Sequence, residues 1–378
     1  MKTTAIRMYG KQDLRMESFE LPEIADDEIL AHIVSDSICM SSYKAAKQGS
    51  DHKRVPADID TNPVMIGHEF CGELVKVGSK WAGKFAPGQR FGIQPAMFYE
   101  GGPVGILSAP GYTYRHIGGD ATYIVIPKEV MEQDCLLPYE GAAYFMGSLA
   151  EPVSCIAGAF HAQYHTKQGS YEHTMGVVDG GSMALLAGVG PMGLGAIDYA
   201  IHSSPRPKLL VVTDIDQARI DPVAEVRTLN GGNGFDDVFV FAPVKPVVEQ
   251  GDALLGTDGC LNFFAGPTDT SFSANFNFYN VHYEAHHVVG TSGGNTADMR
   301  EALDLMGRGV VNPVAMITHV GGLDAVVETT LHLPDIPGGK KLIYTNKKMP
   351  LVAIDDFAER GKDDPFYARL AEICEANN

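Results

Sequence analysis

Basic side chains are scarce in this chain: 29 lysines and arginines stand against 47 aspartates and glutamates, a formal net charge of −18 over 378 residues. So acidic a balance excludes the broad basic face that nucleic acid or an anionic membrane requires. It would also repel an anionic substrate, so such a ligand needs cations clustered at its pocket. Long apolar runs are missing too, and none approaches the ~18 residues of a membrane span. The opening stretch MKTTAIRMYG lacks the apolar core of a signal peptide. Cysteine is sparse and scattered, at Cys39, Cys71, Cys135, Cys155, Cys260 and Cys374. That excludes a clustered disulfide framework and leads us to expect a reducing cytoplasm. No internal repeat or low-complexity segment occurs. What remains is an ordinary globular composition, 45% hydrophobic and 20% charged, in a chain long enough for two cores.

Glycine, by contrast, is plentiful, with 42 residues, and one group of glycines organises the rest. Residues 184–187 form a short apolar run suited to a central parallel strand. Gly188, Gly190 and Gly193 follow at G-x-G-x-x-G spacing, with Pro191 and Met192 where a helix begins. Pro191 suits a first helical position because its φ is already helical and its missing N–H is not needed there. In a dinucleotide cradle the first glycine makes the turn and the second lets backbone approach the pyrophosphate. The third lets helix pack on strand, and the phosphate rests on the positive helix end. The spacing alone arises by chance in a glycine-rich chain, so a second strand has to be found. Residues 208–214 supply it, ending in Asp214 roughly 20 to 25 residues past the glycines, where a ribose-binding carboxylate belongs. Asp214 favours NAD(H); Arg219, five residues on, keeps NADP(H) open.

Taken in order, residues 3–8, 28–35 and 71–77 alternate or run apolar between turns, a β-rich opening unlike a parallel α/β start. Residues 98–114, rich in glycine, proline and tyrosine without a period, read as a long loop. Residues 143–160 suit a helix interrupted at Glu151-Pro152, and a carboxylate in so apolar a setting needs a partner. Beyond the cradle, residues 236–241, 259–264 and 286–290 read as buried strands and 296–306 as a helix. Residues 338–344 read as a strand returning to the first domain, and the acid-rich 355–378 as an exposed helix pair. Only residues 216–229, with Pro222 interrupting them, separate the acid-ended strand from the glycine turn at 231–234. That is short for a parallel crossover, so the junction Ile220–Asp221 is the expected site of residues absent from this chain.

The remaining chemistry-bearing residues are Cys39 in a small-residue loop, His68 and Glu69 after Gly67 at the mouth of a strand, and Glu151. Singly, a buried cysteine or histidine is more often core than ligand. In this order, ahead of a dinucleotide cradle, they resemble the zinc-dependent medium-chain dehydrogenases, and more closely their polyol-dehydrogenase branch, over nearly the whole chain. The resemblance implies an α/β protein with a Rossmann dinucleotide-binding domain over residues 161–311. A β-rich GroES-like catalytic domain would take residues 1–160 and 312–378. It implies one catalytic zinc on Cys39 and His68, with Glu69 and Glu151 as the candidate carboxylates. Zinc takes such ligands in a tetrahedron that leaves one position open.

Many relatives also hold a structural zinc on four close cysteines. Residues 92–116 contain no cysteine, so no structural zinc is expected. Ser41 matches the family's hydroxyl that receives the substrate proton. Ser42 and Lys44 stand where the family often has an acid and a relay histidine. Lys44 is therefore expected near the open position, where it would hold a phosphate, with Lys47, Arg115 and His116 as the nearest further cations.

Within the branch, the Glu-Pro element, the tyrosine-rich loop, the insert 164–181 and the acidic C-terminal extension look most like the L-sorbose 1-phosphate reductases. That implies hydride transfer between NAD(H) and a ketose or polyol, reducing L-sorbose 1-phosphate to D-glucitol 6-phosphate. The implied protein is a cytoplasmic homo-oligomer whose partner is a small sugar phosphate or polyol, with no nucleic acid and no membrane. Another polyol or polyol-phosphate dehydrogenase, a zinc-free quinone reductase-like enzyme and a non-catalytic nucleotide-binding protein are the alternatives. Cys39 with His68 and Glu151 argues against the zinc-free enzyme, and metal analysis of the purified protein would separate the non-catalytic reading.

Overall fold

The computed structural model describes residues 1–167, 169–214 and 222–376. It divides into two compact units, Met1–Glu151 with Ile317–Asn378, and Pro152–Met316.

The first unit is organised on the strand Ile29–Ile38, the middle of an eight-stranded sheet. Three antiparallel neighbours bond to it, Phe70–Val77, Tyr123–Ile126 and Lys340–Tyr344. Its side chains are consequently buried along nearly the whole length, Ile29 and Ile33 packing with Phe70, Leu74, Phe91 and Ile124. Each such side chain contributes about 1.5–3 kcal/mol on burial. A second core of Ile6, Met8, Ile38, Ala45, Ala46 and Ile343 seats the helix Met40–Gln48. The register fixes what meets at the strand's end, because Asp36 faces Phe70 and Ile38 faces Lys341. Residues 39, 69 and 340 are thereby brought to one spot.

Two expectations for this unit need correction. Glu151-Pro152 does not interrupt a helix; Tyr144–Ser148 ends first, and both residues lie in the opening turn of Ala150–Ala162, where proline is tolerated. The C-terminal helices Phe357–Arg360 and Pro365–Ala376 are not simply exposed. Phe357 and Tyr367 are buried with Met349 and Val352. Residues 98–114 form a loop whose regular structure is the single short turn Gly105–Leu107.

The second unit carries a parallel sheet in the order Leu209–Val212, Ser182–Leu186, Phe235–Val240, Leu255–Phe263, His287–Gly290. Ser182–Leu186 is buried at every position, as a central parallel strand covered on both faces must be. The helices Pro191–His202 and Lys245–Leu254 follow their strands. Thr296–Gly307 opens on a reciprocal cap between Asn295 and Asp298. The insert forms a hairpin of Tyr164–Thr166 with His173–Met175. Pro222 does not break a helix but begins one, Pro222–Leu229. Arg219 and the junction Ile220–Asp221 lie outside the described residues. Among the described residues, no helix is long and apolar enough to cross a membrane.

Candidate active site

Cys39 is the N-cap of the helix Met40–Gln48, in extended backbone (φ −108°, ψ 148°). Its carbonyl accepts from the N–H of Ser42 and of Tyr43 at 3.0 and 3.3 Å. The thiol therefore stands at a helix N-terminus, which favours negative charge on it. His68 and Glu69 come from the turn ahead of the strand Phe70–Val77. Gly67 makes that turn at φ +90°, and a Cβ there would lie 2.5 Å from both the Asp120 nitrogen and the Asp36 carboxylate. No other residue fits. Sulfur, ring nitrogen and carboxylate oxygen of Cys39, His68 and Glu69 lie within 4.8 Å of one another.

Hydroxyls line this group. Ser41 Oγ donates to Cys39 Sγ at 3.0 Å, lies 3.2 Å from His68 Nε2, and accepts from the Tyr112 hydroxyl at 2.8 Å. Tyr112 is itself 3.2 Å from His68 Nε2, and Ser42 Oγ is 3.3 Å from Nδ1. Glu69 is held on the other side. Lys340 Nζ donates to both its oxygens at 2.5 and 2.7 Å, and Ser37 Oγ to Oε2 at 2.6 Å. Asp36 Oδ1 accepts from the Glu69 backbone N–H at 3.1 Å.

Burial dominates the protonation of the group. It pushes the Cys39 thiol up to about 12, with Glu69 adding to the shift and Lys340 opposing it. It pushes the His68 imidazole down to about 4, so the ring is neutral at neutral pH. Burial alone would depress the Lys340 ammonium, but Glu69, Cys39 and Glu151 more than offset it and its pKa ends above the ordinary lysine value. The Tyr112 hydroxyl is raised well above the phenol value, first by burial. A neutral imidazole, a thiol and a carboxylate in one buried corner suit a divalent zinc ion, which would draw the thiol proton off on binding.

The structure thus brings Cys39, Ser41, His68 and Glu69 together. Glu151 is close enough for its charge to raise both the Cys39 thiol and the Tyr112 hydroxyl. Lys44 lies half-buried on the helix that carries Ser41. Lys47, on the same helix, is exposed with its ammonium 5.8 Å from the Tyr43 ring. Arg115 and His116 line a cavity of about 260 Å³ with Pro22, Glu28 and Pro127, and its lining does not include Lys44. Two residues escaped sequence reasoning, Tyr112 and Lys340. Tyr112 sat in an aperiodic loop among other tyrosines. Lys340 was one of two adjacent lysines in a predicted strand, and only its place on a buried sheet could have marked it.

In the second unit Gly190 caps the helix Pro191–His202, with no side-chain hydrogen bond made at the cap. Gly188 N–H donates to Thr213 O at 2.8 Å and Thr213 N–H to Leu185 O at 2.9 Å, which ties the turn to the strand before Asp214. A Cβ on Gly193 would come 2.2 Å from Gly188 O, whereas one on Gly190 would meet nothing within 4 Å. The third glycine is thus required by the protein's own packing. The second leaves open space at the helix N-terminus, where a pyrophosphate fits.

A model of the alcohol dehydrogenase GroES-like domain matches residues 25–135, and one of the zinc-binding dehydrogenases matches residues 210–308. The chain is 51% identical to the mannitol-1-phosphate 5-dehydrogenase of Aliivibrio fischeri, over 100% of this chain and 95% of that one. That alignment runs over 405 positions, more than the 378 residues here, so the relative carries residues that this chain lacks. It is likewise 51% identical to the L-sorbose 1-phosphate reductase of Klebsiella pneumoniae, over 94% of this chain and 92% of that one. Among solved structures, 2R,3R-butanediol dehydrogenase from Bacillus subtilis superposes with a TM-score of 0.72 at 21% identity, over 91% of this chain and 100% of that one. At that identity the likeness speaks for the fold. Half-identity along nearly the full length of both chains goes further, and the protein belongs to the zinc-binding dehydrogenases, in their polyol dehydrogenase branch, as a zinc- and nicotinamide-dependent oxidoreductase.

Proposed function

We propose that the protein transfers hydride between NAD(H) and a phosphorylated ketose or polyol, reducing L-sorbose 1-phosphate to D-glucitol 6-phosphate. The observation that carries the chemistry is the buried Cys39, His68 and Glu69 group with its Ser41–Tyr112 hydroxyl pair. The substrate class is supported by two relatives at 51% identity, each named for a sugar phosphate or polyol phosphate. The first of those names favours a second reading, oxidation of mannitol 1-phosphate at C5.

Cys39, His68 and Glu69, whose ligand atoms lie within 4.8 Å of one another, would hold the zinc; Glu151, whose charge acts on Cys39, is the further candidate carboxylate. When bound, zinc supplies Lewis acidity at the substrate oxygen and the nicotinamide carries the hydride. Lys340 and Ser37 fix the Glu69 carboxylate and restrain its charge. Ser41 takes or returns the proton of the substrate oxygen, and its bond from Tyr112 keeps the hydroxyl aimed at the metal corner. Asp214, ending the strand beside the glycine turn, accepts from the ribose hydroxyls and repels a 2′-phosphate, which supports NAD(H). The division expected, 1–160 with 312–378 catalytic and 161–311 nucleotide-binding, is supported by two compact units whose bounds differ by several residues, Met1–Glu151 with Ile317–Asn378 and Pro152–Met316. The five cysteines Cys39, Cys71, Cys135, Cys155 and Cys260 are free thiols, in keeping with a cytoplasmic protein.

A homo-oligomer is supported by the edge strand His287–Gly290 beside the exposed Phe278, Tyr279 and Tyr283, an apolar, unpaired rim that a second copy would cover. A monomer mass by light scattering would remove that part. The central test is a panel of ketoses, ketose phosphates and hexitol phosphates with NADH, NADPH and their oxidised forms. The highest kcat/KM is expected for L-sorbose 1-phosphate with NADH. Preference for free sugars, or for NADPH, would discard the corresponding half of the proposal.

A further inference from the structure

We propose that Arg54 and Lys53, backed by Lys44 and His52, form the seat for the substrate's phosphate. The inference rests on the reading of a phosphorylated substrate and assigns it a site. The helix Met40–Gln48 that carries Ser41 and Lys44 runs directly into the short turn Gly49–Asp51, which delivers His52 and Arg54 beside Tyr112, with the exposed Lys53 between them in the chain. The Arg54 guanidinium carbon is 5.9 Å from the Tyr112 ring centre, and the His52 ring stacks on Tyr112 at 5.8 Å and 12°. The Tyr112 ring is in turn 4.8 Å from that of His68, and its hydroxyl bonds Ser41. The cations therefore stand one aromatic ring away from the metal corner.

Lys53 and Arg54 also lack carboxylate partners among the described residues. The chain has an excess of 18 negative charges, and nearby cations find carboxylates, as Lys11 does with Asp51. Among the described residues no carboxylate lies within ion-pairing distance of Lys53 or Arg54. Arg54 spends one N–H on Leu107 O at 3.0 Å, and its backbone carbonyl accepts from Thr113 Oγ1 at 2.7 Å. Those bonds fix the stem and leave most of the guanidinium fork for a bidentate anion. His52 Nδ1 accepts from the Arg54 N–H at 3.3 Å, so its neutral ring carries the proton on Nε2 as a further donor. Burial and then the charges of Arg54, Lys53 and Lys44 hold that ring's pKa down to about 4, which identifies the three cations as its neighbours. Phosphate binding there would give Lys53 and Arg54 the anion that no carboxylate among the described residues supplies.

The test uses the full-length zinc-loaded enzyme with NADH and compares kcat/KM for L-sorbose 1-phosphate with that for free L-sorbose. Lys53→Ala and Arg54→Ala should each lower the ratio by about tenfold or more, through KM for the phosphorylated sugar. Arg54→Lys should recover part of it, and Arg115→Ala, outside the cluster, should leave it unchanged. Calorimetry with L-sorbose 1-phosphate should show the same order of affinities. A selective wild type whose ratio survives both alanine variants overturns the seat and spares the phosphorylated-substrate reading. A wild type with no preference for the phosphorylated sugar overturns both. A merely structural role for Arg54 would lower both substrates alike, and if Arg54→Ala fails to fold, the exposed Lys53 decides.

Discussion

The nucleotide cradle and the metal corner are built in opposite ways. The cradle is made of backbone: Gly188, Gly190 and Gly193, a proline-led helix end, and Thr213 bonded to the neighbouring strand, all within one strand–turn–helix–strand stretch. The metal corner is made of side chains from positions as far apart as Glu69 and Lys340, 271 residues distant in sequence. A backbone site tolerates changes around it as long as the turn survives. A buried side-chain site fails when any one charge loses its complement, because the low dielectric that strengthens each pair makes each orphan costly.

The sharpest way to break the comparison is Cys39→Ala. Zinc should fall from one per chain to none by elemental analysis, and activity should drop beyond the roughly 100-fold that loss of an outer partner costs. NADH binding to the second unit should persist, and stripping zinc from the wild type with a chelator should reproduce the variant. Retained zinc in Cys39→Ala would remove the thiol from the ligand set.

Next in size is Lys340→Met, which leaves Glu69 buried and uncompensated. In the metal-free protein, denaturant unfolding should show a loss of about 3–5 kcal/mol, mostly recovered when Glu69→Gln is added. The pH dependence follows from the raised pKa of Lys340. A group that holds its proton more tightly when folded gives stability that is full below its ordinary value of 10.5. That stability is lost as the pH climbs through the raised folded value. The gap between wild type and variant should therefore be flat through neutral pH and close only in strong alkali. A gap that closes below pH 10 would mean that the pair is not what Lys340 supplies.

The smallest effects separate two glycines of one motif. Gly193→Ala drives a Cβ into Gly188 O and should cost about 1–3 kcal/mol of stability, as overpacking does. Gly190→Ala meets nothing in the protein. Its Tm should hold while NADH affinity falls more than about tenfold, about 1.4 kcal/mol. Equal NADH binding by Gly190→Ala would show that no phosphate approaches that backbone.

What was legible in the sequence follows the same division. The strand, glycine turn, helix and terminal Asp214 could be laid out in order because each step depends on residues a few positions apart. Cys39, His68 and Glu69 could be named as candidates, but nothing local joined them to one another or chose between Glu69 and Glu151. The C-terminal helices looked exposed because their acids dominate the composition, while Phe357 and Tyr367 carry the packing. Phosphate-binding cations were sought at Lys44, Lys47, Arg115 and His116, by family position, whereas Arg54 reaches Tyr112 only because the helix end and the loop 98–114 fold onto each other.

By itself, then, the sequence determined the periodicities, the glycine turn and the inventory of ligands, since backbone geometry and burial patterns are set over a few residues. Only the tertiary structure decided that Lys340 neutralises Glu69, that Tyr112 joins His68 beside Ser41, and which cations gather behind that ring. The register of Ile29–Ile38 against Phe70–Val77 and Lys340–Tyr344 sets the first of these. Strand pairing between distant segments is a property of the whole sheet, and no single segment carries it.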